Sequence, residues 1–424
     1  MIRDALQGAP WLSAMARVFH AAGAELYIVG GAVRNPLMGL PLSDIDVCGP
    51  ARPEEVCAFC EGTEVHAHLR AAHFGTVELH LTDEAGARHM AEYTTWREDS
   101  YRCGHRPDSV KFTLDIGVDA FRRDFSVNAL YRRVYPDHLG EVIDPTGGLA
   151  HLKDGVLHTV TPDPDRVLGD DGLRILRAAR FQAELDLAPT QALMESLKRN
   201  APLLRDIACE RLRDELQKTL MADLRYPMLP RRFPGTASGL KTIHSIGAWP
   251  YLFGGMPYDE AAVSALVRMP GTLPERMALL WDDADAAHDA MLGMRFSVRD
   301  ARQTREIVTA MQQMDASHLF ELARLGRDAL TSAEKALTAL GDEPAVQSAG
   351  KVLSLLADKP MSLKELAVTG DDLKPLFAAA ARPMSEMGRM LNRLWRMAVE
   401  GEVPNEKGAL LSIVRNLSNS ACPM

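Results

Sequence analysis

GGAVRNPLMGLPLSDIDV, residues 30–47, is the stretch of this chain that says most about its fold. It follows LYIV, residues 26–29, an apolar and β-prone run that predicts a buried strand. Gly30 and Gly31 carry no side chains, so a phosphate could approach their backbone N–H groups closely. Arg34 offers a guanidinium fork to phosphate oxygens. The start of this stretch therefore predicts a phosphate site that follows a strand.

The end of the same stretch carries two aspartates, Asp44 and Asp46, on either side of Ile45. Alternate side chains of a strand share a face, so both carboxylates would point the same way. Hard oxygen ligands on one face suit a pair of Mg²⁺ ions, which can assist in-line displacement at phosphorus. A Gly-Gly pair or an Asp-x-Asp alone is common in turns and loops. Their combination at this spacing favours a nucleotidyltransferase.

Composition and charge limit the class of protein. The chain has 424 residues, of which 46% are hydrophobic and 25% charged, as expected for a globular protein of about three domains. It shows neither a secretory signal nor an apolar run of ~18 residues, which predicts a cytoplasmic protein without a membrane span. Its net charge of −9 argues against broad nucleic-acid affinity but leaves room for a focused basic site.

The order of apolar patterns predicts an α+β region followed by helices. Residues up to about 145 alternate β-like and helical runs, whereas from about Asp165 onward apolar residues recur at three and four. Residues 226–257 are rich in Pro and Gly and predict a junction. The strand-like runs are LYIV, DIDV, TVELHL, HMAEYTTW, SVKFTL and LGEVID, and the clearest helical runs are LRILRAARF, ALMESLKRN, RLRDELQKTL and MGRMLNRLWRMAVEG.

A third carboxylate would complete a metal site. Glu92 lies in HMAEYTTWR, residues 89–97, a strand-like run in the same part of the chain. It could face the metal ions or take a proton from an attacking hydroxyl. Taken alone, a solvent-facing strand residue is the more common interpretation.

FRRDFSVNALY, residues 121–131, places Arg123, Asp124 and Asn128 close together. An arginine can reach phosphate, while Asp124 or Asn128 can exchange hydrogen bonds with a ribose hydroxyl. A helix with a charged first turn would explain the same residues, so the pattern is only moderately specific.

GDDGLRILRAARF, residues 169–181, predicts a helix with Asp171, Arg174, Arg177 and Arg180 on one half of its surface. Asp171 and Arg174 are neighbours three positions apart. A carboxylate beside a guanidinium presents an acceptor beside donors, which could imitate a Watson–Crick edge and read a nucleobase. An ordinary amphipathic helix with an ion pair is the simpler alternative.

Two weaker patterns point to other metal sites. Cys57 and Cys60 form a CxxC before His66 and His68, which a zinc site could use, but PEEVCAFC favours a helix with small buried cysteines. His244, followed much later by a His-Asp pair, could belong to a metal-dependent phosphohydrolase. The remaining ligand cannot be placed, and ordinary helix residues are favoured.

In order, the main motifs resemble the bacterial class II CCA-adding enzymes, which are tRNA nucleotidyltransferases of the polymerase-β-like superfamily. The resemblance covers residues 26–220, about half of the chain. It is carried by GGAVRN, DID, HFGTVEL, EYTTWR, YRCGHRPDSVKF, FRRDFSVNAL, IDPTGGLAHLKDG, DDGLRILRAARF and ERLRDEL. LNRLWRMAVEGEVPNEKGALL is similar, less specifically, to the helical tail of some members.

This resemblance implies a polymerase-β-like nucleotidyltransferase head over residues 1–148, a helical neck over 149–230, and a helical, tRNA-binding body and tail over 231–424. It implies template-independent addition of C, C and A to tRNA from CTP and ATP, with Mg²⁺ as cofactor. The residues to which it assigns roles are Gly30, Gly31 and Arg34 at the triphosphate, Asp44, Asp46 and Glu92 in catalysis with Mg²⁺ on the two aspartates, Arg123, Asp124 and Asn128 at phosphate and ribose, and Asp171, Arg174, Arg177 and Arg180 at the base.

Two departures from the family pattern concern this site. Asn35 replaces an aspartate after Arg34, which removes a charge that could hold Arg34. DDGLR replaces Glu-Asp-Pro-Leu-Arg, so Gly172 stands where the family has a proline. Because Asp171 and Arg174 are retained, we expect base selection to survive and Gly172 to loosen the start of the helix.

Three alternatives stay open. A poly(A) polymerase, a CC-adding enzyme or an A-adding enzyme would share this fold with a narrower product. The loop from Tyr101 to Pro107, whose family counterpart is associated with A addition, favours full CCA addition. A non-catalytic RNA-binding protein on a decayed fold is disfavoured by the intact carboxylates. A Rossmann-type dinucleotide binder is disfavoured because GxGxxG is missing.

Overall fold

The computed structural model describes residues 9–42, 45–101 and 107–419. They form two compact units, which divide between Tyr258 and Asp259. A mixed β-sheet and helices make up the first unit, whereas the described part of the second unit consists of helices and their connections. The predicted α+β class, with helices following the sheet, is therefore confirmed. The functional boundaries after residues 148 and 230 stay predictions.

The first unit is built on one large sheet. Its strands are β1 (Tyr27–Val29), β2 (Asp46–Gly49), β3 (Val65–Ala71), β4 (Thr76–Thr82), β5 (Arg88–Thr95), β6 (Arg97–Ser100), β7 (Ser109–Phe112), β8 (Tyr131–Val134), β9 (Leu139–Ile143), β10 (Val156–Leu157) and β11 (Ala188–Pro189). Seven of them lie side by side in the order β3-β4-β5-β2-β1-β8-β9, while β6 pairs with β7 and β10 with β11. Within the large sheet, β2 and β5 run parallel and the other neighbours run antiparallel.

The six strand-like runs of the sequence coincide with β1, β2, β4, β5, β7 and β9. Strands β3 and β8 carry histidines and arginines between their apolar residues, and their short sequences do not form an apolar run. β3 pairs with β4 at the edge of the sheet and β8 pairs with β1 and β9, so their strand conformation is a tertiary effect rather than a local one.

The two faces of the large sheet differ. The helices of this part are α1 (Trp11–Ala21), α2 (Gly31–Leu37), α3 (Pro53–Cys60), α4 (Ile116–Phe121) and α5 (Gly148–Asp154). Residues of α1 and α3 cover one face and share a core with Val47. On the opposite face, Val29 and Cys48 join a smaller core. Asp46 and Glu92 lie exposed on that second face, because they alternate with buried neighbours along their strands.

Helices that follow the sheet complete the first unit. They are α6 (Pro164–Asp170), α7 (Leu173–Leu185), α8 (Gln191–Asn200), α9 (Cys209–Leu220), α10 (Ala222–Arg225), α11 (Gly235–Ser245) and α12 (Trp249–Phe253). Helix α11 approaches α7 closely at Gly239, where a Cβ atom would lie 2.8 Å from the carbonyl oxygen of Ala179. A mostly buried helix, α11, thus lies within the segment 226–257 that the sequence predicts as a junction. The two units divide directly after that segment, between Tyr258 and Asp259.

The second unit is described through ten helices: α13 (Glu260–Ala265), α14 (Leu273–Ala278), α15 (Ala284–Gly293), α16 (Val298–Gln313), α17 (Leu319–Leu325), α18 (Arg327–Leu340), α19 (Glu343–Leu356), α20 (Gly370–Ala379), α21 (Met387–Glu400) and α22 (Lys407–Asn419). Apolar residues at helical spacing fill its interior, as the sequence pattern predicts. Across the part of the chain that the structure describes, no helix combines the length and the apolar character needed to cross a membrane.

Candidate active site

Strand pairing brings two of the predicted catalytic carboxylates together. In the parallel pair of β2 and β5, Asp46 lies directly beside Glu92, and both residues are exposed. Asp44 lies outside the described residues. Among the residues that are described, no three His, Cys, Asp or Glu side chains form a metal site. The adjacent oxygen donors Asp46 and Glu92 nevertheless suit the hard Mg²⁺ ion.

The glycine turn after β1 is held from inside the protein. Gly30 has φ +66° and ψ −124°, a conformation that residues with side chains rarely adopt. Its N–H donates to the carbonyl oxygen of Leu130 (3.1 Å), and its carbonyl oxygen accepts from the N–H of Arg34 (2.9 Å). The turn thus ties β1 to α2 and to the segment before β8. A direct approach of phosphate to Gly30 or Gly31 stays a prediction.

Arg34 is buried, with 5% of its surface exposed. Its guanidinium donates to the amide oxygens of Asn35 and Asn128 and lies 5.5 Å from the centre of the Phe181 ring. Burial lowers the pKa of this guanidinium to about 10. In this arrangement Arg34 connects α2 to the segment before β8 and to α7. A direct contact between Arg34 and a triphosphate stays a prediction.

The structure gives a physical role to Asn35, the departure noted in the sequence. Its side-chain oxygen accepts from Nε (3.2 Å) and an Nη (2.8 Å) of Arg34. Its amide nitrogen donates to the Pro41 carbonyl oxygen (3.2 Å) and to the Tyr226 hydroxyl (2.9 Å). An aspartate would place a negative oxygen against that carbonyl. Asn35 therefore lacks the negative charge that an aspartate would place beside Arg34. It provides instead a hydrogen-bonded link between α2 and Tyr226, which follows α10.

Asp124 and Asn128 continue this link toward α7. The Asn128 amide donates to Oδ1 of Asp124 (3.3 Å), and Arg177 approaches Oδ2 of Asp124 with Nε (2.7 Å) and an Nη (2.6 Å). Burial alone would raise the pKa of Asp124, but the guanidinium groups of Arg177 and Arg174 lower it to about 2. Four of the predicted site residues are therefore brought into one hydrogen-bonded chain, namely Arg34, Asn128, Asp124 and Arg177.

A cleft of about 530 Å³ opens beside this chain. Five of the predicted site residues line it, namely Arg123, Asp124, Asp171, Arg174 and Arg177. The other residues of its wall are Ala71, Phe74, Thr76, Arg97, Asp99, Tyr101, Pro107, Arg122, Leu173 and Arg211. Among these described residues six arginines face three aspartates. This excess of guanidinium groups suits a ligand with several phosphate charges.

The pair predicted to read the base is held in place by groups around it. Asp171 accepts from an Nη of Arg211 at 2.6 Å. Arg174 donates to the carbonyl oxygens of Val167 (2.9 Å) and Arg122 (2.7 Å). These contacts fix the direction of both side chains before any ligand binds. They support a recognition role, because a preorganised acceptor and donor cost less to order on binding.

Asp119 is a buried anchor beneath the cleft, with 1% of its surface exposed. It accepts from Arg122 (2.8 Å), Arg123 (2.9 Å) and the Tyr131 hydroxyl (2.8 Å). Burial alone would raise the pKa of Asp119, but the guanidinium groups of Arg123 and Arg122 lower it to about 2. Asp119 therefore positions two of the arginines that line the cleft.

Arg180 lies apart from the cleft lining. It is buried, and it donates to Glu215 on α9 and to Glu184 on α7, both at 2.6 Å. Its guanidinium also lies 4.1 Å from the centre of the Phe181 ring. These contacts fasten α7 to α9. A part for Arg180 in supporting base recognition stays a prediction, and it would act through the position of α7.

Sequence reasoning missed Asp119 and Arg211. A signal for Asp119 was present, because it precedes Arg122 by three positions and Arg123 by four, the spacing at which side chains meet on a helix. Arg211 lies in the ERLRDEL motif, but its partner Asp171 is 40 positions earlier, which no local pattern shows. Arg97 and Asp99 were also missed. Tyr101 and Pro107 belong to the loop noted in the sequence, of which residues 102–106 lie outside the described residues.

The two weaker metal patterns have structural explanations. Cys60 is in the core between α3 and the sheet, and burial raises the pKa of its thiol to about 11. This agrees with the predicted helix with buried cysteines. His244 stacks on Tyr258, whereas His288 lies in the second unit.

We expect the Asp119 anchor to stabilise the protein in a pH-dependent way. Because its pKa is lower in the folded protein, its contribution is complete above the unfolded value of about 4 and is lost as pH falls toward 2. The loss of unfolding free energy in Asp119→Asn should therefore be constant from about pH 5 to 7 and shrink below about pH 4. Urea unfolding at several pH values measures it.

The matched control for this experiment is Asp289→Asn, which changes a carboxylate that is 82% exposed. We expect a small effect at every pH, because exposed ion pairs contribute little. A difference between wild type and Asp119→Asn that does not shrink in acid would contradict the role assigned to Asp119.

Sequence profiles of known families match three parts of this chain. Residues 26–158 match the Poly A polymerase head domain. Residues 186–229 match the probable RNA and SrmB-binding site of polymerase A, and residues 277–414 match tRNA nucleotidyltransferase domain 2. The first match contains the large sheet and its carboxylates.

Relatives match over nearly the whole chain. The CCA-adding enzyme of Limosilactobacillus reuteri is 30% identical over 419 residues, which covers 94% of each chain. The CCA-adding enzyme of Lacticaseibacillus paracasei is 32% identical over 412 residues, again 94% of each chain.

The fold is similar to that of a solved structure, the CCA-adding enzyme of Bacillus stearothermophilus in complex with CTP. The two chains are 26% identical and align over 98% of each, with a TM-score of 0.75. The predicted resemblance is confirmed, and the alternatives of a non-catalytic protein and of a Rossmann-type binder are excluded. The chain belongs to the CCA-adding enzymes, a family of tRNA nucleotidyltransferases.

Proposed function

We propose that this protein adds C, C and A to the 3′ end of tRNA, with CTP and ATP as substrates and pyrophosphate as the second product. The observation that carries this proposal is the arginine-rich cleft beside the paired carboxylates Asp46 and Glu92. CCA-adding enzymes among the relatives, one of them solved with CTP, support the same substrates. The cytoplasmic location of the reaction stays a prediction.

In the proposed reaction the tRNA 3′-hydroxyl oxygen bonds to the α-phosphorus of the nucleotide. The bond from that phosphorus to the oxygen bridging the β-phosphate breaks, and pyrophosphate leaves with the electron pair. Glu92, exposed beside Asp46, accepts the hydroxyl proton. Asp46, with Asp44 two residues before it, would hold Mg²⁺, which when bound lowers the pKa of the attacking hydroxyl and stabilises the charge of the leaving group.

The cleft residues bind the nucleotide in this proposal. Arg123 and Arg177 would neutralise phosphate charge, and Asp119 and Asp124 hold their guanidinium groups in place. Asn128 and Asp124 would face the ribose. Such preorganised donors stabilise the charge that develops on phosphate oxygens in the transition state.

Base selection would depend on Asp171 and Arg174. Both line the cleft, and both are already oriented by contacts with the protein. Cytosine and adenine each present a donor and an acceptor on the Watson–Crick edge, which a carboxylate and a guanidinium can match. The same pair could therefore accept either base and reject a base that reverses this pattern.

The first prediction from the proposed function concerns the product of the reaction. On a tRNA transcript that ends at the discriminator base, we expect two C additions with CTP alone and a final A when ATP is also present, all abolished by EDTA. CC without A would indicate a CC-adding enzyme, and long ATP-only tails would indicate a poly(A) polymerase.

Asp46→Asn should lower transfer at least about 100-fold, because it removes a charged metal ligand.

Asp137→Asn is the control for Asp46→Asn, because its carboxylate is 84% exposed in the turn between β8 and β9. We expect wild-type transfer from it. Wild-type transfer by Asp46→Asn would refute the catalytic assignment of Asp46. Failure of the wild-type protein to add any nucleotide in the presence of Mg²⁺ would refute the proposed function.

The second prediction concerns selectivity. Asp171→Ala with Arg174→Ala should lower the preference for CTP and ATP over GTP and UTP by about 10-fold or more, since each lost base contact is worth ~1–3 kcal/mol. Some transfer should persist because the carboxylates are untouched. Single-nucleotide incorporation with each triphosphate measures this. The exposed ion pair of Asp285 and Arg305 (2.7 Å), changed to alanines, is the control, and unchanged selectivity in the test variant would contradict the assignment.

We also propose that the second unit binds tRNA through an arginine-lined hollow of about 520 Å³ between α17 and α21. Arg393 and Arg396 on α21 and Arg324 on α17 line it. Arg396 also lies over the Phe320 ring at 4.5 Å. Exposed guanidinium groups along one helix face can neutralise successive phosphates of an RNA backbone. This would give an acidic protein a focused RNA-binding surface.

The third prediction tests that surface. Arg324→Ala with Arg393→Ala should weaken tRNA binding and reduce the slope of log affinity against log salt concentration by roughly one to two, one unit or less per lost phosphate contact. Fluorescence anisotropy with labelled tRNA at several salt concentrations measures both. Arg302→Ala with Arg305→Ala on α16 removes the same charge from exposed positions of the same unit and should change little. Equal slopes for the two double variants would contradict the surface.

A further inference from the structure

The exposed face of the large sheet carries an ordered set of rows across its strands. The pairing of β2, β5, β4 and β3 sets Asp46 beside Glu92, Glu92 beside Glu78, and Glu78 beside His68. Alternate residues of each strand share this face, and rows two residues apart are separated by roughly 7 Å. The carboxylates therefore occupy one row, with another row on each side of it.

The nucleotide cleft lies on one side of the carboxylate row. Ala71 and Thr76 line the cleft and pair with each other at that end of β3 and β4. Thr76 is two residues before Glu78 on β4. His80 is two residues after Glu78, so it lies on the side away from the cleft.

Five residues make up what we call the strand-face patch: His66, His68, His80, Arg88 and Met90. His66 pairs with His80, and His80 pairs with Met90. Met90 is 55% exposed, and the His80 side chain is 42% exposed. The helices α1 and α3 cover the opposite face, so the patch is open to a ligand. It begins in the carboxylate row at His68 and extends away from the cleft.

The patch has the chemistry of a single-stranded RNA site. Imidazole rings and guanidinium planes stack on nucleobases, and Arg88 can pair with a phosphate. An exposed methionine adapts to different apolar surfaces, which suits bases of varied identity. Glu78 accepts from Arg70 (2.6 Å) and contacts His80 (3.3 Å), and the rings of His68 and His80 lie 5.3 Å apart. These contacts hold part of the patch in one arrangement.

We propose that the strand-face patch binds the single-stranded 3′-terminal nucleotides of tRNA. This inference rests on the proposed nucleotidyl transfer, in which attack and departure are in line at phosphorus. The nucleotide then enters from the cleft and the acceptor strand from the patch, and the terminal hydroxyl meets the α-phosphorus over Asp46 and Glu92. The carboxylate row lies between the two ligands because the sheet register puts it there.

Steady-state kinetics of the full chain test this proposal. His66→Glu with Arg88→Glu replaces two exposed groups of the patch by carboxylates, which repel phosphates. We expect the KM for tRNA to rise at least about 10-fold. The KM for CTP and the kcat at saturating tRNA should stay within about 2-fold of wild type, because the cleft and Asp46 are unchanged.

The matched control is Arg17→Glu with His20→Glu on α1, where both residues are exposed beyond the opposite face. It makes the same change in charge, so its KM for tRNA should stay near that of wild type. An equal rise in both double variants, or no rise in the patch variant, would overturn the proposal. A wild-type protein that transfers no nucleotide would instead overturn the proposed function.

A second measurement uses the wild-type protein, so it does not depend on whether a variant folds. A tRNA with 4-thiouridine at the discriminator position, bound to the wild-type protein, should photo-crosslink to peptides of β3, β4 or β5. Crosslinks found only in other segments would overturn the proposal. Unlabelled tRNA should compete for the crosslink, whereas CTP alone should not.

Discussion

A buried chain of guanidinium, amide and carboxylate groups fixes the position of α7 on the sheet, and the candidate site depends on it. Arg34 contacts Asn128, Asn128 contacts Asp124, and Asp124 is paired with Arg177. A buried charge without a partner is costly, so each member restricts where the next can lie. Removal of Asp124 or of Arg177 would take away the nearest opposite charge of the other. The glycine turn, the segment before β8 and α7, which carries Arg174, are therefore held in one arrangement.

The same constraint explains why the cleft is ready for a charged ligand. The arginines of its wall do not extend freely into solvent, because Asp119, Asp124 and backbone carbonyl groups hold them. Donors fixed in this way avoid the loss of side-chain entropy when phosphate binds, and they do not reorganise as charge develops. Arg34 belongs to this supporting layer by its burial. Arg34, which the sequence motifs place at the phosphate, thus has an observed structural role in addition to its predicted binding role.

Local sequence patterns predict the parts of this site that depend on residues close together in the sequence. Period-two alternation places Asp46 and Glu92 on an exposed face. The predicted helix through Asp171 is wrong at that residue, because Asp171 has extended backbone and α7 begins only at Leu173, so the cleft rather than one helix face brings Asp171 and Arg174 together. The partners of these residues come from distant segments, such as Arg211 for Asp171 and Tyr226 for Asn35. No periodicity encodes such a pairing, since it depends on how helices pack after the strands have formed. Strand β3 escaped prediction for the same reason, because its histidines and arginine interrupt the apolar pattern.

The net charge of −9 and an RNA substrate are compatible because the charges are unevenly placed. Six arginines face three aspartates in the cleft, and further arginines line the hollow between α17 and α21. Acidic residues elsewhere repel nucleic acid at sites where binding would be unproductive, which favours contact at the basic surfaces. A uniformly basic protein would gain affinity for any RNA. An acidic protein with focused basic sites gives up part of that affinity, and its selectivity then depends on whether one RNA can reach several of those sites together.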